Sequence, residues 1–323
     1  MGSVTWARAS VGGALSFELS TRKGFVMSTT PGYGIAAPGY RLPASTHVGT
    51  VRLQIADLAR SLDWYQRVLG FEVTRDERSA SLRAPGGSHV LVELHERRGA
   101  AAVPRRGRLG LYHFAILLPD RASLGAFVRH LSALGERAGM SDHFVSEAIY
   151  LSDPDGLGIE VYADRPRSAW RAEGGQLVMA TEPLDLESLA TVAAPEPWSG
   201  LPPATTIGHV HLFVDDLDAA AAFYHAGLGL DKTVWSYPGA LFMSAGGYHH
   251  HLGTNTWAAG APRAAPGDAR MLEWELVLPT STDVGAALES LRRGGVEVTG
   301  GGGDGLARDP WGTAVRLRSE RKG

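Results

Sequence analysis

The chain has 323 residues, 44% hydrophobic and 20% charged, with 31 Lys and Arg against 34 Asp and Glu, the balance of an ordinary globular protein. A formal charge of -3 without a sustained basic run lacks the electrostatic footprint of a nucleic-acid binder, and no apolar stretch nears the roughly 20 residues that cross a bilayer. Cysteine is absent, which excludes disulfides, thiolate metal sites and cysteine nucleophiles and leaves any metal to His, Asp or Glu.

Residues 1–45 are rich in Gly, Ser, Thr and Ala and show no sustained periodicity, so they are expected to form a flexible N-terminal arm. They lack the apolar core of a secretory signal, and a cytoplasmic location is expected. From Val48 the run VGTVRLQIADL alternates apolar and polar residues as a half-buried strand does. It then passes into a segment of period 3.6 with Leu58, Leu62 and Tyr65 on one face. The run IGHVHLFVDDL from Ile207 repeats this plan. A second pair of repeats lies between and after them: LYHFAILLPD (111–120) matches MLEWELVLPT (271–280). Each of these precedes an amphipathic segment and closes on Asp-Pro-x-Gly plus a strand, from Asp153 and from Asp309.

Four βαβββ modules follow, over 46–98, 108–165, 205–258 and 269–320, with an α+β fold. In chain order this makes a first region, 46–165, a connector, 166–204, and a second region, 205–320. A single βαβββ module exposes one apolar sheet face, so modules must pair to bury it.

Four modules with Asp-Leu after the first strand and Asp-Pro-Asp-Gly before a last one resemble the vicinal oxygen chelate superfamily of glyoxalases, bleomycin-resistance proteins and extradiol dioxygenases. The segments YHFAILLPD, DHFVSEAIYLSDPDGLGIEVYADRPRSAW, GHVHLFVDDL and SAGGYHHHLG are most similar to Bacillus-type catechol 2,3-dioxygenases. The likeness covers residues 46 to about 320. It implies that two modules share a cleft, with a metal held from the first and last strands of each. Internal alignment assigns those positions to Thr50 and Val90, His113 and Glu160, His209 and His250, and Glu273 and Arg316. Pairing in chain order would give each cleft at most two convincing ligands. Pairing modules 2 and 3 instead unites His113, Glu160 and His209, two imidazoles and a carboxylate that leave one face of an octahedral ion open.

The resemblance further implies Fe(II), with Mn(II) as the alternative, and a catechol-type substrate with O2. Homo-oligomers are compatible with it. It gives His250 a role as acid–base residue, with His249 or His251 replacing it if the strand slips by one. Tyr150, ten residues before Glu160, and His143 line the substrate side. The His143–Tyr150 interval is two residues shorter than in the best-known members. Trp170, Tyr248 and Trp257 are candidates to wall the substrate. Two other readings share the scaffold: a glyoxalase-like isomerase or lyase, and a non-catalytic small-molecule binder. The Gly300–Gly303 run has no following Lys-Ser/Thr and reads as a turn rather than a phosphate loop.

Overall fold

Every one of the four repeats folds as a strand, a helix and three further strands; the computed structural model describes residues 32–193 and 196–320. Module 1 contains β1 (His47–Ile55), α1 (Leu58–Trp64), β2 (Glu72–Arg75), β3 (Ser79–Arg83) and β4 (Val92–Glu96). Module 2 contains β5 (Gly110–Leu117), α2 (Arg121–Leu134), β6 (Gly139–Asp142), β7 (Ser146–Ser152) and β8 (Gly158–Asp164). A short hairpin, β9 (Ala172–Glu173) and β10 (Gln176–Leu177), and α3 (Leu186–Val192) follow. Module 3 has β11 (Thr206–Phe213), α4 (Leu217–Ala220), β12 (Asp231–Val234), β13 (Ala240–Ser244) and β14 (Leu252–Asn255). Module 4 has β15 (Arg270–Leu278), α5 (Ser281–Arg293), β16 (Val298–Gly301), β17 (Asp304–Arg308) and β18 (Ala314–Ser319).

The repeated residues explain the repeated structure. Asp57, Asp120, Asp216 and Thr280 occupy the N-cap of the module helices, and each side chain accepts the backbone N–H three residues on. That satisfies a donor the helix itself cannot, which is why a short oxygen-bearing side chain recurs there. The second recurring feature, Asp-Pro-x-Gly, is a turn built around a buried carboxylate. Asp153 accepts from the backbone N–H of Asp155 and Leu157, and Asp309 accepts from those of Trp311 and Thr313. Both carboxylates also receive a tyrosine from another module: Tyr65 reaches Asp153 at 3.3 Å and Tyr224 reaches Asp309 at 3.0 Å. Those tyrosines lie where α1 and α4 run on into π-helical turns, Tyr65–Leu69 and Ala221–Gly227.

Burial raises the Asp153 carboxyl from its ordinary 3.8 to about 7. The folded state therefore binds this proton more tightly than the unfolded state. Its contribution to stability is complete below pH 3.8 and is lost as pH rises through about 7, a span of roughly 4 kcal/mol at 1.36 kcal/mol per unit. Asp153→Asn retains an acceptor for the two N–H groups but cannot ionise. Urea unfolding across pH 4–8 is expected to show a flatter stability profile for this variant, with the variant at least as stable as the parent at pH 8.

Modules 2 and 3 join edge to edge into one eight-stranded sheet, β12-β13-β14-β11-β5-β8-β7-β6, with β5 and β11 antiparallel at its centre. Modules 1 and 4 form the other, β16-β17-β18-β15-β1-β4-β3-β2, centred on β1 and β15. The pairing is thus nested, inner with inner and outer with outer, as the ligand-set argument requires. One apolar core takes side chains from both sheets and from all five helices. Period-2 alternation sends Phe114, Ile116, Ile159 and Val161 into that core. It turns Ala115, Ala148, Tyr150 and Tyr162 to the opposite face, where a separate cluster forms.

Two stretches read as arm and connector are structured where described. Residues 1–31 of the expected arm lie outside the described residues. Within 32–45, Leu42 is buried in the core, its N–H donates to Gly229, and Arg41 forms an ion pair with Asp231 at 2.5 Å. In the connector, α3 lies so close to α2 that a Cβ on Gly125 would stand 2.6 Å from the Leu189 carbonyl oxygen. No helix among the described residues is long and apolar enough to cross a membrane.

Candidate metal centre and its cavity

His113 leaves β5, Glu160 leaves β8 and His209 leaves β11, all toward the face away from the core. Each offers a ligand atom within 4.8 Å of the others, and all three are buried. Nε2 of His113 lies 3.0 Å, and Nε2 of His209 3.2 Å, from the same Glu160 oxygen, Oε2. The first contact lacks hydrogen-bond geometry, so His113 Nε2 is a buried nitrogen without a hydrogen-bond partner. Such an atom is costly unless something else meets its lone pair.

The electrostatics suit a cation. Burial holds the His113 and His209 imidazoles below their ordinary pKa, opposed only in part by Glu160. Burial alone would raise Glu160, but His209 and His113 outweigh it and hold the carboxyl well below the usual range. A divalent ion binds neutral imidazoles and an ionised carboxylate, the direction in which all three shifts point, so the residues fit one.

His113 and Glu160 border a cavity of about 280 Å³, also lined by His143, Tyr150, His211, Tyr237, Phe242, His250 and Trp257. His143 and Tyr150 meet there at 2.6 Å, Nε2 to hydroxyl. Nδ1 of His143 lies 2.5 Å from the Ala180 carbonyl, which can only accept. Nδ1 therefore carries the proton, and Nε2 accepts from the Tyr150 O–H. Burial, reinforced by Glu160, raises the Tyr150 hydroxyl well above its usual pKa and keeps it a donor. Phe144, beside His143, adopts φ 67° in the turn between β6 and β7, with its N–H capped by Asp142. Ala180 and its neighbours Met179 and Thr181 come from the segment read as connector, which therefore walls the cavity.

The His249–His251 run differs from its expected form. It lies in the loop before β14 rather than on an alternating strand, and all three imidazoles are buried. His250 lines the cavity, with its ring centroid 4.0 Å from that of His209. His249 points elsewhere: its Nε2 lies 2.9 Å from Asp164 and its Nδ1 2.7 Å from Nδ1 of His250. Because the Asp164 carboxylate accepts, His249 Nε2 donates to it. His249 Nδ1 then accepts from His250 Nδ1–H, which leaves the lone pair on Nε2 of His250. His251 Nδ1 accepts the Ala245 N–H.

Strand register also corrects two alignment positions. Glu160 pairs with Ala115 across β5–β8. The corresponding residues are Glu93 opposite Arg52, Gly253 opposite His211 and Arg316 opposite Glu275, in place of Val90 and His250. In the modules 1 and 4 sheet these positions carry an ion network. Arg52 contacts Glu93, Glu273 and Glu275, and Arg316 contacts Glu273 and Asp304. Guanidinium groups occupy the space that imidazoles and an open cavity take in the other sheet.

His211 was not among the expected site residues. It sits two residues beyond His209 on β11 and so shares its face, and its ring centroid is 5.0 Å from that of His113. Asn255 Nδ2 donates to its Nε2 at 3.0 Å, an orientation set by the Trp257 N–H donating to Asn255 Oδ1. Burial holds His211 well below its usual pKa, hence neutral. Gly253 makes room for it: a Cβ there would lie 2.9–3.0 Å from the His211 ring. Gly253→Ala is expected to cost about 1–3 kcal/mol by overpacking, read as a lower thermal midpoint. Of the three aromatics considered for the wall, Trp257 lines the cavity. Tyr248 instead bonds Tyr162 at 2.6 Å, and Trp170 packs against Tyr248.

Comparison with known proteins agrees with this architecture. The model of the "Glyoxalase/Bleomycin resistance protein/Dioxygenase superfamily" matches residues 47–161 and 206–317. A protein named catechol-2,3-dioxygenase from Bacillus subtilis (strain 168) is 46% identical over 258 residues, 78% of this chain and 90% of that one. Among solved structures, a candidate dioxygenase from Bacillus subtilis subsp. subtilis str. 168 superposes with a TM-score of 0.60 at 13% identity, over 88% of this chain and 87% of that one. A point mutant of glyoxalase I from Zea mays gives 0.51 at 16% identity, over 85% and 94%. At these identities the two structures speak for the fold alone. The nested modules and the two matched regions make this chain a member of the glyoxalase/bleomycin resistance protein/dioxygenase superfamily.

Proposed function

We propose that the protein is a metal-dependent extradiol dioxygenase that opens a catechol-type ring with O2, using Fe(II), or Mn(II) in its place. The convergence of His113, Glu160 and His209 beside a cavity lined by three further histidines and a tyrosine carries this reading. The 46% identity to a protein named for the same reaction supports it.

His113, Glu160 and His209 would hold the ion, which when bound supplies Lewis acidity toward both catechol oxygens and a route for electrons to O2. The other roles fall to the chain itself. His250, with a free lone pair on Nε2, takes a catechol proton and returns it as the ring opens; its Nδ1–H is held by His249, so the ring cannot turn away. Tyr150 gives its one proton to His143, which Ala180 in turn holds, so its hydroxyl oxygen is fixed as an acceptor for a substrate O–H. Tyr112, Phe242 and Trp257 enclose an aromatic ring and exclude water. The inner cavity of about 280 Å³ sits at the small end of ligand pockets and suits a single ring.

Protein reconstituted anaerobically with Fe(II), given catechol and then air, is expected to form the yellow ring-opened product with matching O2 uptake. Turnover of a hemithioacetal without O2 consumption would instead favour a glyoxalase-like isomerase.

A further inference from the structure

Next to the inner cavity lies an outer one of about 1310 Å³, and Tyr112, His113, Tyr150 and Trp257 line both. Four arginines, Arg105, Arg106, Arg108 and Arg137, line the outer cavity, and no Asp or Glu does. In a chain with more acidic than basic residues this is a local reversal of charge. Arg108 is partly neutralised by Asp268 at 3.2 Å. Arg105, Arg106 and Arg137 are exposed and have no ion-pair partner among the described residues. These three remain available on the wall of the outer cavity, which His113 also lines.

We propose that Arg105, Arg106 and Arg137 select catechols bearing an anionic ring substituent, a carboxylate on a short side chain above all. The inference rests on the ring-cleaving reading for its reaction. The inner cavity takes the ring with its two hydroxyls, and the substituent projects past Tyr112 and Trp257 into the outer one. A concave wall of one charge concentrates the field there and raises capture of an oppositely charged ligand. Guanidinium donors match a carboxylate in geometry as well as in charge. Because the three arginines are solvated, they act on capture more than on the chemical step, and salt weakens their effect.

The test compares 3-(3,4-dihydroxyphenyl)propionate, its methyl ester and dopamine, whose rings are similar and whose side chains are anionic, neutral and cationic. For the Fe(II)-loaded parent protein kcat/KM is expected to fall in that order, with a gap of about tenfold between carboxylate and ester that narrows from 20 to about 300 mM salt. In Arg105→Ala/Arg106→Ala/Arg137→Ala the gap closes through a higher KM for the carboxylate, while the ester keeps its kcat. The corresponding triple Glu variant favours dopamine. A parent that treats carboxylate and ester alike, or a triple variant that keeps the preference, overturns the proposal. Anaerobic calorimetry of the same three ligands reads the preference without turnover. If no catechol is cleaved yet the carboxylate still binds more tightly and loses that advantage in the variant, the reaction reading fails and the charge selection stands. Equal binding of all three ends it.

Discussion

Protein carrying His209→Ala is expected to lose its stoichiometric divalent ion while keeping its fold. The His209 imidazole reaches Glu160 at 3.2 Å from a strand of a different module, so it is the residue that ties β11 to the two candidate ligands of module 2. Removing it leaves one imidazole and one carboxylate, too few to hold an ion against water. Metal affinity should fall by more than about 100-fold, beyond the 10- to 100-fold typical of losing only an outer partner. Activity should fall by about 10³-fold or more, since several kcal/mol of charge stabilisation go with the ion. Thermal unfolding separates site loss from misfolding. The metal-free parent and variant should melt alike within a few degrees. Added Fe(II) should stabilise only the parent, by about 2.7 kcal/mol when present at 100 times its dissociation constant. A variant that still binds one tight equivalent would remove this residue from the ligand set.

The second large effect is expected at His250. Replacement by Gln leaves all three candidate ligands in place, so elemental analysis should find the ion undiminished. The turnover number should nevertheless drop by about 10²- to 10⁴-fold, the usual contribution of a positioned acid–base group. Burial, assisted by the neighbouring histidines, holds the His250 imidazole well below its ordinary pKa. A base must be neutral to act, so activity falls as pH drops through its pKa, and the acid limb of kcat/KM in the parent should lie below 6.5. That limb should be missing in the variant. Unchanged turnover with the ion still bound would assign the proton transfer to another residue, with His211 the next neutral imidazole in the cavity.

The four modules were legible because their repeated residues do a local job each time. An N-cap oxygen in all four modules and a buried turn carboxylate in modules 2 and 4 leave their mark at fixed positions, and strand alternation tells which side chains share a face. Positions repeated across modules then isolated His113, His209 and Glu160. His211 obeys the same alternation two residues past His209, so a stricter use of strand period would have found it. The His249–His251 loop was less tractable. Its shape follows from Asp164, on the last strand of another module, and from Ala245, contacts that local pattern does not encode. The positions matched to Glu160 slipped in modules 1 and 3 for a related reason: the turns before the last strands differ in form, and only cross-strand pairing sets the register. The described part of 166–204 has weak local pattern because its order comes from packing on α2 and on the cavity wall.

Nested pairing sets an order of completion during synthesis. The sheet that holds the candidate ion site has all of its strands once Asn255 has emerged from the ribosome, whereas β1 must wait for β15, which begins at Arg270. Through that interval β1 presents an unpaired backbone edge, and its eventual partner lies more than 200 residues along the chain. Such a bare strand is a template for association with other nascent chains. Translation that stalls or terminates between modules 3 and 4 would therefore yield polypeptides with a finished ligand-bearing half and a half prone to clump, making chaperone demand greatest late in elongation rather than early.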